Sequence, residues 1–312
     1  MINLGIEIKS MKNIALLILP VILFFACDKV ENPNQNPDAV TDCTVNPHFV
    51  KSNLTKMNFR KVLVEDYTGH TCGNCPRAAE NATTIVNRHG DSVVVIAVHA
   101  GTQFAPPVPP NYPEDFRTPA GTDWDNFLGM SAAGLPKGCV NRSQTPYPQP
   151  RTTWSVTVDA LLNNPQDAKM LVTTTLDTTQ LLLNVEVKTT FLKAFTDDVF
   201  LSVVITEDSI IGAQKDYSPP VGATVINGDE RPDYNFEHTL RGAVNGSWGD
   251  EIKKAPIAIN DTVTKTYKCF KLNPWPVKPS NPKYNLKHTS VVVFIYKASN
   301  KEIIQVEKVH IM

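Results

Sequence analysis

Two hydrophobic periods divide the chain. Lys61 to Tyr67 (KVLVEDY) and Ser92 to Val98 (SVVVIAV) are short apolar runs that predict strands, the second apolar throughout as expected of a strand covered on both faces. Between them Ala78, Ala79, Ala82, Ile85 and Val86 recur at helical spacing, predicting a helix over Pro76 to His89 with Gly90 at its C-terminal cap. Short helices are predicted over Asp123–Met130 and Thr153–Leu162, and a strand over Gly138–Arg142. From about Ala168 the period becomes two: Leu183, Val185 and Val187 alternate with Asn184, Glu186 and Lys188. Strands are predicted at Leu181–Thr189, Val199–Glu207, Tyr234–Leu240, Thr262–Leu272, Thr289–Tyr296 and Glu302–Ile311, the last two as a hairpin. The expected architecture is an α/β body, a mixed sheet with flanking helices, followed by an all-β immunoglobulin-like sandwich of roughly seven strands.

The N-terminus carries a different signal. Ile14 to Ala26 is continuously apolar and follows Lys12; its 13 residues are too few for a membrane span and suit the core of a signal peptide. Met11 is a plausible start. Ala26-Cys27 at the end of the run resembles a lipoprotein cleavage box, which implies lipidation of Cys27. The Asn-, Pro- and Asp-rich stretch that follows reads as a tether. The expected organisation is a signal peptide over 1–26, a tether over 27–57, the α/β domain over 58–165 and the β-sandwich over 166–312. Lys and Arg total 30 against 31 Asp and Glu, so no basic field exists to attract nucleic acid. Residues Gly101 to Gly121 form an insertion with six prolines.

The candidate chemistry lies at Cys72-Gly73-Asn74-Cys75-Pro76, between a predicted strand and a predicted helix. A spacing of three on a first helical turn puts both sulfurs on one face, and the free N–H groups there favour a thiolate. Cys72, nearer solvent, is the expected nucleophile and Cys75 the resolving thiol. An inert disulfide and a metal site that adds His70 or His99 remain open; a c-type haem needs His where Pro76 stands. His70 reads as a solvated turn residue or as a cation beside a thiolate, and His99 as a strand-end residue lining the cleft. Cys43, Cys139 and Cys269 stand singly. Trp124 and Trp154 read as packing residues, and Asp229–Asp233 as a plain turn.

Strand, CxxC, helix, strand and a later Gly134-Leu135-Pro136 ahead of a strand resemble the thioredoxin fold. That resemblance implies a cis-proline at Pro136, a substrate-pairing backbone at Leu135, and a proton-handling carboxylate at Asp66, with Glu65 on the other strand face. Thr71 replaces the usual Trp. The segment Val62–Pro76, with Val98-His99-Ala100-Gly101, Val140-Asn141-Arg142, Phe236–Arg241 and Asn245–Gly249, also resembles the outer-membrane-protein-28 family of surface lipoproteins. The expectation is an exported, lipid-anchored outer-membrane protein needing no cofactor and no metal, whose partners are thiol or disulfide proteins. A non-enzymatic surface binding or assembly protein is the alternative.

Overall fold

The computed structural model describes residues 50–54, 59–272 and 285–312; the predicted signal segment, Cys27 and Cys43 lie outside them. The first half contains β1 (Val50–Leu54), β2 (Val62–Thr68), α1 (Cys75–His89), β3 (Val93–His99), α2 (Pro119–Leu128), β4 (Lys137–Val140) and α3 (Trp154–Leu162). Then come β5 (Ala168–Asp177), β6 (Leu182–Phe191), β7 (Val199–Glu207), β8 (Ile210–Lys215), β9 (Glu230–Phe236) and β10 (Thr239–Ala243). The chain closes with β11 (Asp250–Lys253), β12 (Thr262–Lys271), β13 (Thr289–Lys297) and β14 (Ile303–His310).

An eight-stranded mixed sheet runs β14-β13-β7-β10-β3-β2-β4, with β11 also on β7. In it β2 and β3 are parallel and β4 is antiparallel to β2. A four-stranded antiparallel sheet, β1-β5-β6-β12, faces part of it, and β8-β9 form a separate hairpin. The strands beyond residue 166 supply members to both facing sheets, and the larger sheet continues past them into β3, β2 and β4. The reason lies in β7 and β13, which are apolar on both faces and need cover on two sides. Val291, Val293 and Ile295 pack against the four-stranded sheet, while Val292, Phe294 and Tyr296 join a second core with Leu63, Tyr67, Ile96 and Trp124. β10 bridges the halves, lying parallel to β3 at Thr239 and Ala97. Val50–Leu54, expected in the tether, pairs with β5. The strand predicted over Tyr234–Leu240 breaks at His238, whose positive φ of 59° turns the chain between β9 and β10.

Alternation along β2 sorts its side chains. Val62 and Val64 face α1 and α3, packing with Ala78, Ala82, Ile85 and Trp154. Leu63 and Tyr67 face the other way, towards α2 and β13. On that second face Glu65 holds Arg142 in a bidentate pair, with both N–O distances 2.7 Å and both side chains fully buried. Breaking a buried pair leaves an uncompensated charge, so Arg142→Met is expected to lower unfolding stability by about 3–5 kcal/mol. The double replacement Glu65→Leu/Arg142→Met is expected to recover much of that loss in denaturant melts.

Candidate functional site

β2 ends at Thr68 and the chain turns tightly into α1. The Cys72 amide donates to the Gly69 carbonyl at 3.0 Å and the Cys75 amide to the Cys72 carbonyl at 3.1 Å. Asn74 precedes the first helical residue, so only Cys75 is helical and Cys72 belongs to the turn before it. The helix predicted from Pro76 thus begins one residue earlier. The two cysteines are joined in a disulfide with Cα atoms 5.4 Å apart. Cys72 was expected to face solvent, yet Cys72 is 3% and Cys75 1% exposed. Two segments distant in sequence account for that. The Lys215 amide donates to the His70 carbonyl at 2.8 Å, and the Tyr217 amide to that of Gly73 at 2.9 Å. The Gln214 side-chain amide donates to the Cys72 carbonyl at 3.1 Å. The Tyr217 ring lies so close over Gly73 that a Cβ there would stand 2.6 Å from it. From the Pro-rich insertion, the Phe104 carbonyl accepts from the Thr71 amide at 3.1 Å. Gln214, Tyr217 and Phe104 carried no signal in the sequence; only the glycine inside the CxxC marks the close approach.

Pro136 follows a cis Leu135–Pro136 bond. Tyr67 pairs with Lys137, which sets Pro136 beside Thr68 at the entry to the CxxC turn. Asp66 and Glu65 part company. Glu65 is committed to Arg142, and its carboxylate also accepts from the Cys139 thiol at 3.3 Å and the Tyr67 hydroxyl at 3.4 Å. Asp66, on the α1 side, is 2% exposed and its Oδ1 has no hydrogen-bond partner. Burial pushes its carboxyl up to about 8.

His70 is not a solvated turn residue. It is 1% exposed, stacks on Tyr112 at 5.7 Å between centroids, and contacts the Pro106 carbonyl through Nε2 at 2.9 Å. Burial lowers its pKa, with the Pro106 contact opposing, which argues against a cation beside a thiolate. His99 lies 4.7 Å from Phe116 and 5.6 Å from Phe236, and burial lowers its pKa to about 3. Neither of its ring nitrogens is hydrogen-bonded. Cys139 is a free buried thiol pushed up by burial and by the Glu65 carboxylate, and Cys269 is disulfide-bonded. Trp124 and Trp154 are wholly buried. Asp229–Asp233, expected as a plain turn, runs into β9 from Glu230 onward, where Asp229 pairs with Lys215 and Arg231 with Asp216. Among the described residues no group of three His, Cys, Asp or Glu stands close enough to hold a metal, and no helix is long and apolar enough to cross a membrane.

A mixed sheet, a covered cystine at the start of α1 and two further antiparallel assemblies define a mixed α/β protein. The chain matches the family described as Outer membrane protein Omp28 over residues 128–312, more than half its length, and it belongs to that family. The match begins beyond the CxxC. The structure is similar to HBP35 of Porphyromonas gingivalis, with a TM-score of 0.54 and 16% identity, covering 82% of this chain and 76% of that one. A domain of the outer membrane lipoprotein Omp28 from Porphyromonas gingivalis aligns at 19% identity and a TM-score of 0.27, covering 46% of this chain and 87% of that one. No curated protein matches the sequence.

Two outcomes follow from this geometry. Tyr217→Ala removes the ring that lies over Gly73, and reduction of the disulfide by excess dithiothreitol is expected to quicken on the order of tenfold, if about 1.4 kcal/mol of local closure is lost. The second concerns pH. Asp66 binds a proton in the fold up to about pH 8 that the unfolded chain releases near 4, so its contribution falls as pH rises between those values. His99 acts oppositely between about 3 and the unfolded value near 6.5. The two offset each other up to about pH 6.5. From there to pH 8 the wild type is expected to lose about 2 kcal/mol relative to Asp66→Asn, read from urea melts across pH.

Proposed function

We propose that the protein is a lipoprotein of the outer membrane, anchored through Cys27, that exchanges thiols and disulfides at Cys72–Cys75. In this reading the segment from β2 to α3 is a thioredoxin-like unit. The paired sheets behind it form an immunoglobulin-like sandwich that shares the mixed sheet. The observation carrying the reading is the cystine at the head of α1, beside a strand end that brings Pro136 to the same turn and places Asp66 on the α1 side of the sheet.

The chemistry starts from the oxidised pair. A substrate thiolate attacks the Cys72 sulfur, forming a mixed disulfide and expelling Cys75 as a thiolate. The protonated Asp66 supplies the proton that Cys75 takes up. A second substrate thiolate then attacks the substrate sulfur of the mixed disulfide and releases Cys72. The substrate dithiol is oxidised to a disulfide, and the pair is reduced to the Cys75 thiol and the Cys72 thiolate, which takes any further proton from solvent. Leu135 and Pro136 align the substrate backbone, while Glu65 keeps the sheet's other face in place and handles no proton. His70 and His99 form the apolar wall beside the turn. Because both sulfurs are shielded, exchange follows displacement of residues 214–217.

That shielding favours a second reading, in which the cystine is a staple and the protein binds or assembles at the surface without turnover. Redox titration of the full-length protein in graded glutathione and dithiothreitol, with free thiols counted by mass shift, separates the two. A reversible couple within roughly −270 to −120 mV, lost in Cys72→Ser, is the expected outcome. A pair that stays oxidised below about −300 mV gives the staple reading the lead.

A further inference from the structure

A cleft of about 300 Å³ lies between α1, β3 and the end of β9. Its volume is that of a small-ligand site. Asp66 lines it, buried, with one carboxylate oxygen unpartnered. Ala97, the residue paired with Asp66 across β2 and β3, has no group to offer that carboxyl. An apolar wall is supplied by Ala79, Ala82, Val95 and Ala97. Two further carboxylates line the cleft, Glu237 and Glu80, the latter paired with Arg77 at 2.5 Å; the lining itself includes no lysine or arginine.

We propose that this cleft binds a primary alkylamine, its ammonium meeting Asp66 and its aliphatic stem lying along the apolar wall. An anion would find the Glu80 and Glu237 carboxylates in the lining and no cation there to receive it. A hydrocarbon would leave the buried Asp66 oxygen unpartnered, which is costly. An ammonium brings three donors and a charge of the sign the cleft lacks. The Thr83 and Thr84 hydroxyls donate back to the carbonyls of Ala79 and Glu80 and keep lone pairs to accept from it. The cleft's own His238 lies 2.9 Å from the Asp208 carboxylate and is already matched. The inference is independent of the redox reading.

Binding is linked to a proton. Empty, Asp66 holds its proton up to about pH 8; an ammonium draws it to the carboxylate and expels that proton. The titratable groups facing it are Glu80 on α1, Tyr234 on β9, and Glu237 and His238 beyond it, while β3 presents Val95 and Ala97. The neighbouring Cys75 is in a disulfide and does not titrate.

The test is calorimetric titration of the oxidised full-length protein at pH 6, 7 and 8. The probes are 1,5-diaminopentane and the peptide acetyl-Gly-Lys-Gly-amide, with the norleucine peptide as control. One-to-one binding of at least one amine is expected, tightening about tenfold for each unit of pH increase up to about 8, with roughly one proton released. Diamine binding alone points to a free amine, and peptide binding to a lysine side chain of a partner. Asp66→Asn should abolish binding. Glu80→Lys, an exposed change that spares the fold, should weaken it at least fivefold. Binding of neither amine, equal binding of the norleucine peptide, or affinity indifferent to both substitutions would overturn the proposal.

Discussion

The buried pair between Glu65 and Arg142 is the constraint to which the other elements are fitted. A desolvated ion pair is tolerable only when its geometry is good and the remaining lone pairs are satisfied. Here the carboxylate takes two guanidinium N–H groups and adds the Cys139 thiol and the Tyr67 hydroxyl. The guanidinium carbon lies 5.2 Å from the Trp124 ring and 5.5 Å from that of Phe294, bringing α2 and β13 to the same point. The residue before it extends the junction. Asn141 donates its amide to the Leu63 carbonyl at 2.8 Å and accepts the Leu63 amide on its side chain at 2.7 Å, while its own carbonyl accepts from Ile303 on β14. β2, β4, α2, β13 and β14 thus meet around two consecutive residues. Both have positive φ, so the chain leaves β4 sharply enough to aim Asn141 and Arg142 at different partners.

That junction lets neighbouring carboxylates lead opposite lives. Strand alternation sends Glu65 to the filled face and Asp66 to the face of α1. The first is saturated with donors; the second has an oxygen without any, and burial alone raises its pKa to about 8. His99, two residues along β3 from the residue paired with Asp66, is likewise buried with both nitrogens unpartnered. Unpaired buried groups beside a cystine are the pattern in which perturbed protonation serves chemistry. Each face of β2 carries one carboxylate, so the surroundings decide which one is available.

The parts legible in the sequence are those whose signal is carried by side-chain periodicity. β2, α1, β3 and the β13–β14 hairpin follow from apolar spacing, and Gly90 ends α1 with a positive φ as a C-cap glycine does. What was not legible depends on contacts between distant segments. β8 and β9 show no sustained apolar alternation, because the hairpin is held largely by its own ladder and by backbone groups of the CxxC turn. His70 in a Thr-Gly-His-Thr turn reads as solvated. Its burial comes from Pro106 and Tyr112, some forty residues on. The sandwich was drawn as self-contained since one-faced alternation in β6 is plain, whereas the two-sided burial of β13 specifies a second cover without saying which elements provide it.

The cover over the cystine is made of weak, local parts. Residues 214–217 hold the turn through two backbone hydrogen bonds and two from the Gln214 side-chain amide, to the Cys72 and Gly69 carbonyls, each contributing about 1 kcal/mol net. Tyr217 is 58% exposed, and its contribution is the contact of its ring over Gly73. The sum is a few kcal/mol, below the roughly 5–15 kcal/mol that holds a domain folded. The cover can therefore open without the core unfolding. In the proposed exchange, an incoming strand would offer the same N–H donors to the turn's carbonyls, so replacement of one segment by the other is nearly balanced. Selectivity then falls to the side chains, and the one place where backbone contact demands a particular residue is Gly73, beneath the Tyr217 ring. Closure by main-chain bonds and access by main-chain competition are two consequences of the same geometry.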